Sequence, residues 1–112
     1  MKIVINTEYG GYSLSDIAVL KYAELKNLTL TTDPEDDDSY YTQFYLPDGK
    51  EFDEYDIPRN DPYLVQVIEL LGDLADGSHA NLKVVEIPDD ILWVICNEDG
   101  LEWIAEQHRT WH

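Results

Sequence analysis

Residues 56–77 read DIPRNDPYLVQVIELLGDLADG, and this stretch holds the clearest helix of the chain. Asp61 is a natural N-cap, because a short carboxylate there accepts hydrogen bonds from the free amides of the first turn. Pro62 follows at the first helical position, where no amide is needed. Leu64, Val67, Ile68, Leu71 and Leu74 recur at helical spacing, Val65 and Leu70 widen the stripe, and Gly77 is placed to end the helix. An apolar face this broad has to be covered by a sheet or a second helix.

Upstream, Ile3, Val4 and Ile5 form an unbroken apolar run inside Lys2–Asn6, as in a strand covered on both faces. Tyr9-Gly10-Gly11-Tyr12 interrupts it. Ser13 is expected to start a first helix, with Asp16 completing a short capping box and Tyr12 and Ile17 forming a hydrophobic staple. Leu14, Ile17, Ala18, Tyr22 and Leu25 make its stripe, and it should stop near Asn27. Leu28–Thr32 and Tyr40–Leu46 are β-prone and flank the acidic loop DPEDDDS. The turn Pro47-Asp48-Gly49-Lys50 leads to a short strand around Glu51–Tyr55. Downstream, Asn81–Ile87 reads as a strand ended by Pro88-Asp89-Asp90. Ile91–Cys96 and Leu101–Gln107 read as a hairpin about Asn97-Glu98-Asp99-Gly100, with Trp93 and Trp103 across it. The expected order is β-α-(β-hairpin)-α-β-β-β. That is an α+β fold, a mainly antiparallel sheet with two helices packed on one face. With no repeat and no linker, residues 1–112 form a single domain with an acidic hairpin/loop insert at about 28–56.

The formal charge is −17, from 24 acids against 7 lysines plus arginines. Such a chain is not suited to neutralise phosphates along DNA or RNA, nor to sit on an anionic membrane. Residues 33–56 hold ten acids and one lysine, the most negative stretch. No run reaches transmembrane length, and the start MKIVINTEYG lacks the apolar core of a signal peptide. The single cysteine, Cys96, lies in the apolar run ILWVIC and reads as a buried structural thiol. One cysteine suits a reducing compartment, so the expected location is cytoplasmic, in a host cell.

Chemistry-bearing patterns are sparse. DPEDDDS lacks the spaced ligands, glycine and terminal glutamate of a calcium loop. His79, His108 and His112 do not have zinc-ligand spacing. There is no G-x-S-x-G elbow, no P-loop and no G-x-G-x-x-G. No catalytic residue, metal site or cofactor is expected, and the chain reads as a binding protein rather than an enzyme.

Two places could hold an anion. Gly10 and Gly11 sit between a strand and a helix start, where backbone N–H groups and the helix dipole favour negative charge, with Tyr9 and Tyr12 beside them to stack on a base. The plainer reading is a tight strand-to-helix turn. Arg59 precedes the second helix start and could fork onto a phosphate; its plainer role is an ion pair with Asp56 or Asp61. Arg109, the other arginine, lies between His108 and Trp111 in a terminal segment that is either docked or loose.

At INTEYGGYSLSD, YDIPRNDPYLVQVIELLG, LKVVEIPDDILWVI and EQHRTW the chain resembles a family of small phage and prophage proteins, similar to the first Thoeris anti-defence family of nucleotide sponges. That resemblance implies a phage counter-defence protein that sequesters a cyclic nucleotide immune signal, an isomer of cyclic ADP-ribose, without cleaving it. It implies a homo-oligomer with pockets between subunits. Asn6, Tyr9, Gly10, Gly11 and Tyr12 would lie near a pocket, and Arg59, Asn60 and Arg109 would be polar contacts. The acidic insert departs from the family pattern, since negative charge near a pocket repels a pyrophosphate. A rival expectation is an acidic DNA mimic, an anti-CRISPR or anti-restriction protein, whose residues 33–56 bind a host defence protein. A third is an assembly component held by its tryptophans and tyrosines.

Overall fold

The computed structural model describes residues 1–32 and 42–107. Six strands and two helices follow in the order β1 (Lys2–Asn6), α1 (Asp16–Leu25), β2 (Thr31–Thr32), β3 (Phe44–Tyr45), α2 (Pro62–Leu71), β4 (Leu82–Glu86), β5 (Trp93–Glu98) and β6 (Leu101–Glu106). All pairing is antiparallel, in an α+β fold as expected. The strands divide into three two-stranded ribbons, β1–β4, β2–β3 and β5–β6, rather than joining one sheet. α2 packs on β1 and β4, and α1 packs on α2. Val4, Tyr12, Ala18, Val19, Tyr22, Leu64, Val65, Val67 and Ile68 lie at the centre of the core. Among the described residues, no helix is long and apolar enough to cross a membrane.

α2 starts as its sequence dictates. Asp61 Oδ1 accepts from the amides of Tyr63 and Leu64, and Pro62 occupies the first turn. The same carboxylate ties the two helices together, because Asp61 Oδ2 accepts from the Tyr22 hydroxyl at 3.0 Å. The helix stops earlier than Gly77, at Gly72, whose positive φ of 56° turns the chain into a 3-10 turn over Gly72–Ala75. Leu71 stays half-buried, but Leu70 and Leu74 are exposed, so the stripe is narrower than its spacing suggested. Gly77 instead permits a close approach between segments, since a Cβ there would sit 2.0 Å from Ser13 Oγ.

That contact explains why α1 begins two residues later than expected. Ser13–Ser15 is extended and bonded to 75–77, through Ser15 N to Ala75 O and Gly77 N to Ser13 O. The helix therefore opens at Asp16, and the cap is Ser15, whose Oγ accepts from Ala18 N. Starting there rotates the buried face onto Ala18, Val19, Tyr22 and Ala23. Ile17 is left 54% exposed, so it staples nothing.

The strand expected around Glu51–Tyr55 is reduced to one bridge, Tyr45 to Glu51, followed by a 3-10 turn over Glu54–Asp56. The loop 33–39 and Tyr40 and Tyr41 lie outside the described residues. In β5–β6, Trp93 is opposite Glu106 and Trp103 opposite Cys96, so the two indoles lie on opposite faces rather than across from each other. Cys96 is half-buried, not fully enclosed.

Asp99 and Gly100 both have positive φ, 50° and 92°, the conformation of a two-residue hairpin loop. A Cβ on Gly100 would approach Gly11 N to 2.2 Å, whereas a Cβ on Gly49, with φ 88°, would meet open space. Gly49→Ala is therefore expected to cost about 1–2 kcal/mol from backbone strain alone. Gly100→Ala adds a clash with backbone that cannot step aside, and should lower the urea midpoint far more at unchanged slope.

Candidate functional site

Five of the eight sequence-derived candidates meet at one place. Arg59, in the loop before α2, lies with its guanidinium carbon 3.5 Å from the ring centre of Tyr12. Its Nη1 donates to Glu102 Oε1 at 2.6 Å and its Nη2 donates to Glu102 Oε2 at 2.9 Å, a two-pronged pair. Nη1 also reaches Val4 O at 3.2 Å. Glu102 Oε1 accepts in addition from Asn6 N at 2.8 Å. Asn6 is wholly buried and fully engaged. Its Nδ2 donates to Glu8 O and Gly100 O, and its Oδ1 accepts from Glu8 N and Asn81 N. Gly10 N donates to Asp99 O, which holds the Tyr-Gly-Gly-Tyr turn against the hairpin tip.

Arg59 is thus paired inside the molecule, with neither Asp56 nor Asp61 but with Glu102. The sequence signal for Glu102 was its strand face. It shares that face with Ile104 and, across the ribbon, Ile95, so it is an acid among apolar neighbours and needs a buried partner. Gly10 and Gly11, with φ of 115° and 109°, serve close approach: a Cβ on Gly10 would sit 2.7 Å from His79 Cβ. Tyr12 is buried, and among the described residues its hydroxyl has no hydrogen-bond partner. Burial pushes that phenol's pKa well above its ordinary value, against the pull of Arg59.

The start of α2 presents no vacant donors to an anion, and the approach to α1 is partly capped. Leu14 N donates to Glu54 Oε2, Ala18 N to Ser15 Oγ, and the first amides of α2 to Asp61. The Gly10–Gly11 turn stands several residues ahead of α1, outside the reach of its dipole. A cavity of about 490 Å³ opens beside this region, lined by Asp16, Glu51, Asp53, Glu54, Phe52 and Tyr55 among others, with no lysine or arginine among the described residues of its wall. Burial raises the pKa of Glu54, the Leu14 amide opposes this, and the charges of Asp53 and Asp16 add to the rise. This cavity repels phosphate and suits a cation.

Two candidates remain uncommitted within the described residues. Tyr9 is exposed. Asn60 is exposed on a groove of about 630 Å³ that also carries Lys2, Gln66 and the amino terminus. Lys2 pairs there with Glu69, and the amino terminus with Asp89. Arg109 lies outside the described residues. Among the described residues no cluster of three His, Cys, Asp or Glu is arranged to hold a metal ion. Compared with protein-family models, curated proteins and solved structures, the chain matches none.

Two outcomes follow from this geometry. Arg59→Ala strands the Glu102 carboxylate in the interior and is expected to cost about 3–5 kcal/mol in urea unfolding; Arg59→Lys, keeping the charge but losing the fork, should fall between it and the parent. For Glu54, burial makes the folded state hold its proton more tightly than the unfolded chain does. Its contribution is full below the unfolded pKa and lost as pH rises through the folded one. Glu54→Gln keeps an acceptor for Leu14 N–H, so it should melt above the parent at pH 7, with the gap closing below about pH 4.

Proposed function

We propose that the protein is a non-catalytic binding protein that sequesters a cyclic nucleotide signal such as an isomer of cyclic ADP-ribose, in the service of phage counter-defence. The observation that carries this reading is Asn60, left exposed on the groove that holds Lys2 and the amino terminus. Unlike the acidic cavity, that groove has a basic side chain in its wall, Lys2 beside its partner Glu69, and Asn60 is one of the residues that the resemblance sets near the ligand. Arg59 takes a different role in this reading. It fixes Tyr12 and the turn bearing the exposed Tyr9, while the phosphate contacts fall to Asn60, Lys2 and Arg109.

Two arguments support holding without cleaving. The polar groups gathered around Arg59 are spent on one another, and a retained ligand needs only complementary charge and stacking.

The acidic cavity favours a second reading, in which carboxylates bind the basic surface of a host defence protein. Its wall carries four acids and no cation, the arrangement a lysine or arginine side chain would enter.

The sponge reading is tested by mixing the protein with a cyclic ADP-ribose isomer, filtering, and heating the retained fraction. The signal is expected to leave the filtrate and return intact after heating, with Asn60→Ala and Arg109→Ala each releasing it at ordinary melting temperature. A signal that stays free in the filtrate removes this ligand. Salt-sensitive capture of a host protein, lost on neutralising Asp53 and Glu54, would put the acidic reading in its place.

A further inference from the structure

Among the described residues, β5 is an edge strand whose outer backbone has no strand beside it. Glu98 and Leu101 flank the two-residue loop, and Gln107 N donates to Leu92 O at 2.8 Å, so the β5–β6 ladder uses the even-numbered residues of β5. The N–H and C=O groups of Trp93, Ile95 and Asn97 point the other way. Among the described residues they meet no backbone or side-chain partner.

The composition of this edge is unusual. Its first five residues read WVICN, without charge, proline or glycine, and only Glu98 at its end is charged, in a chain of net charge −17. Protected edges carry lysine, proline or a bulge, and a bare apolar one is a template for another strand. The exposed apolar side chains gather beside it. Leu92 is 65% and Trp103 45% exposed, and Val94 joins them on the same face of the ribbon. A two-stranded ribbon is by itself marginal in water.

We propose that β5 pairs antiparallel with β5 of a second copy about a two-fold axis at Ile95, joining two ribbons into one four-stranded sheet. The charges select this partner. In that register Ile95 faces its own counterpart, Val94 faces Cys96, Trp93 faces Asn97, and the carboxylate-bearing Glu98 faces Leu92. No two carboxylates are opposed, so two strongly acidic molecules can meet along an edge whose facing residues bring no like charges together. All three outward residues are used, and the interface is self-complementary, as a two-fold dimer requires. The inference is independent of the ligand reading, and its test contains no nucleotide.

The full chain is expected to sediment at twice its 13.0 kDa mass. Ile95→Pro removes an outward amide while sparing every β5–β6 bond, and should sediment as the monomer with an unchanged circular dichroism spectrum. Val94→Cys provides a check that does not rely on that variant folding. Residues 94 and 96 of opposite copies form a non-bonded pair with Cα atoms about 4.5 Å apart, within disulfide range. Mild oxidation should therefore produce a cross-linked dimer absent from the parent. A parent that sediments as a monomer at every concentration overturns the proposal. So does a dimer that persists in Ile95→Pro while Val94→Cys fails to cross-link.

Discussion

The fold depends on how the inner edge of β1 is closed. β1 bonds β4 through its odd-numbered residues, which leaves the amides of Val4 and Asn6 and the carbonyl of Val4 facing into the molecule. Buried groups of this kind have to be paired. No strand takes the position. Val4 N donates to Arg59 O, Val4 O accepts from Arg59 Nη1, and Asn6 N donates to Glu102. One ion pair therefore stands in for a strand, and it joins the loop before α2, the first strand and the final hairpin. A buried pair of this type contributes little net stability against an apolar substitute, but removing either member leaves a charge with no solvent. Its value here is positional, since it ties those three segments together at one point, where Asn6 Nδ2 to Gly100 O and Val4 N to Arg59 O reinforce it.

The acidity of the chain is organised rather than merely spread. Asp61 caps α2 and holds Tyr22; Glu54 caps the approach to α1; Asp76 Oδ1 accepts from Leu82 N at the head of β4. Carboxylates serve as backbone acceptors where serine or asparagine would do, because an ionised acceptor bonds an amide more strongly. At α2 such use occupies the donors that an anionic ligand would seek at a helix start. The acidic cavity lies near the start of α1, and the groove beside Asn60 carries Lys2 together with its partner Glu69.

Local signals were read well and long-range ones poorly. Asp61-Pro62, the run Ile3–Ile5 and the loop Asp99-Gly100 each act within a few residues, and each produced the element it announced. The start of α1 escaped because Ser13 and Ser15 are equally good caps on local grounds. The choice between them is made by residues 75–77, sixty positions away in the chain and bonded to the extended segment. The separation of the strands into ribbons escaped for the same reason: hydrophobic pattern sets the face of a strand, not its neighbour. At the site, the importance of Asn6, Gly10, Tyr12 and Arg59 was legible, while their chemistry was not. Arg59 looked available because its partner lies on a strand whose inward acid was passed over.

The pairing of β1 with β4 also has a consequence for synthesis. β1 is made first, yet its partner begins at Leu82 and its edge closes only when Glu102 is present. At about 5–20 residues per second, Ile3, Val4 and Ile5 are made on the order of ten seconds before the strand that pairs with them. Only α1 and α2 can begin to assemble in that interval. Contacts so distant in sequence slow folding, because the loop has to close before any bond rewards it. β1 therefore stays incompletely paired until the final hairpin has been made, and like charge on neighbouring unfinished chains opposes their association meanwhile.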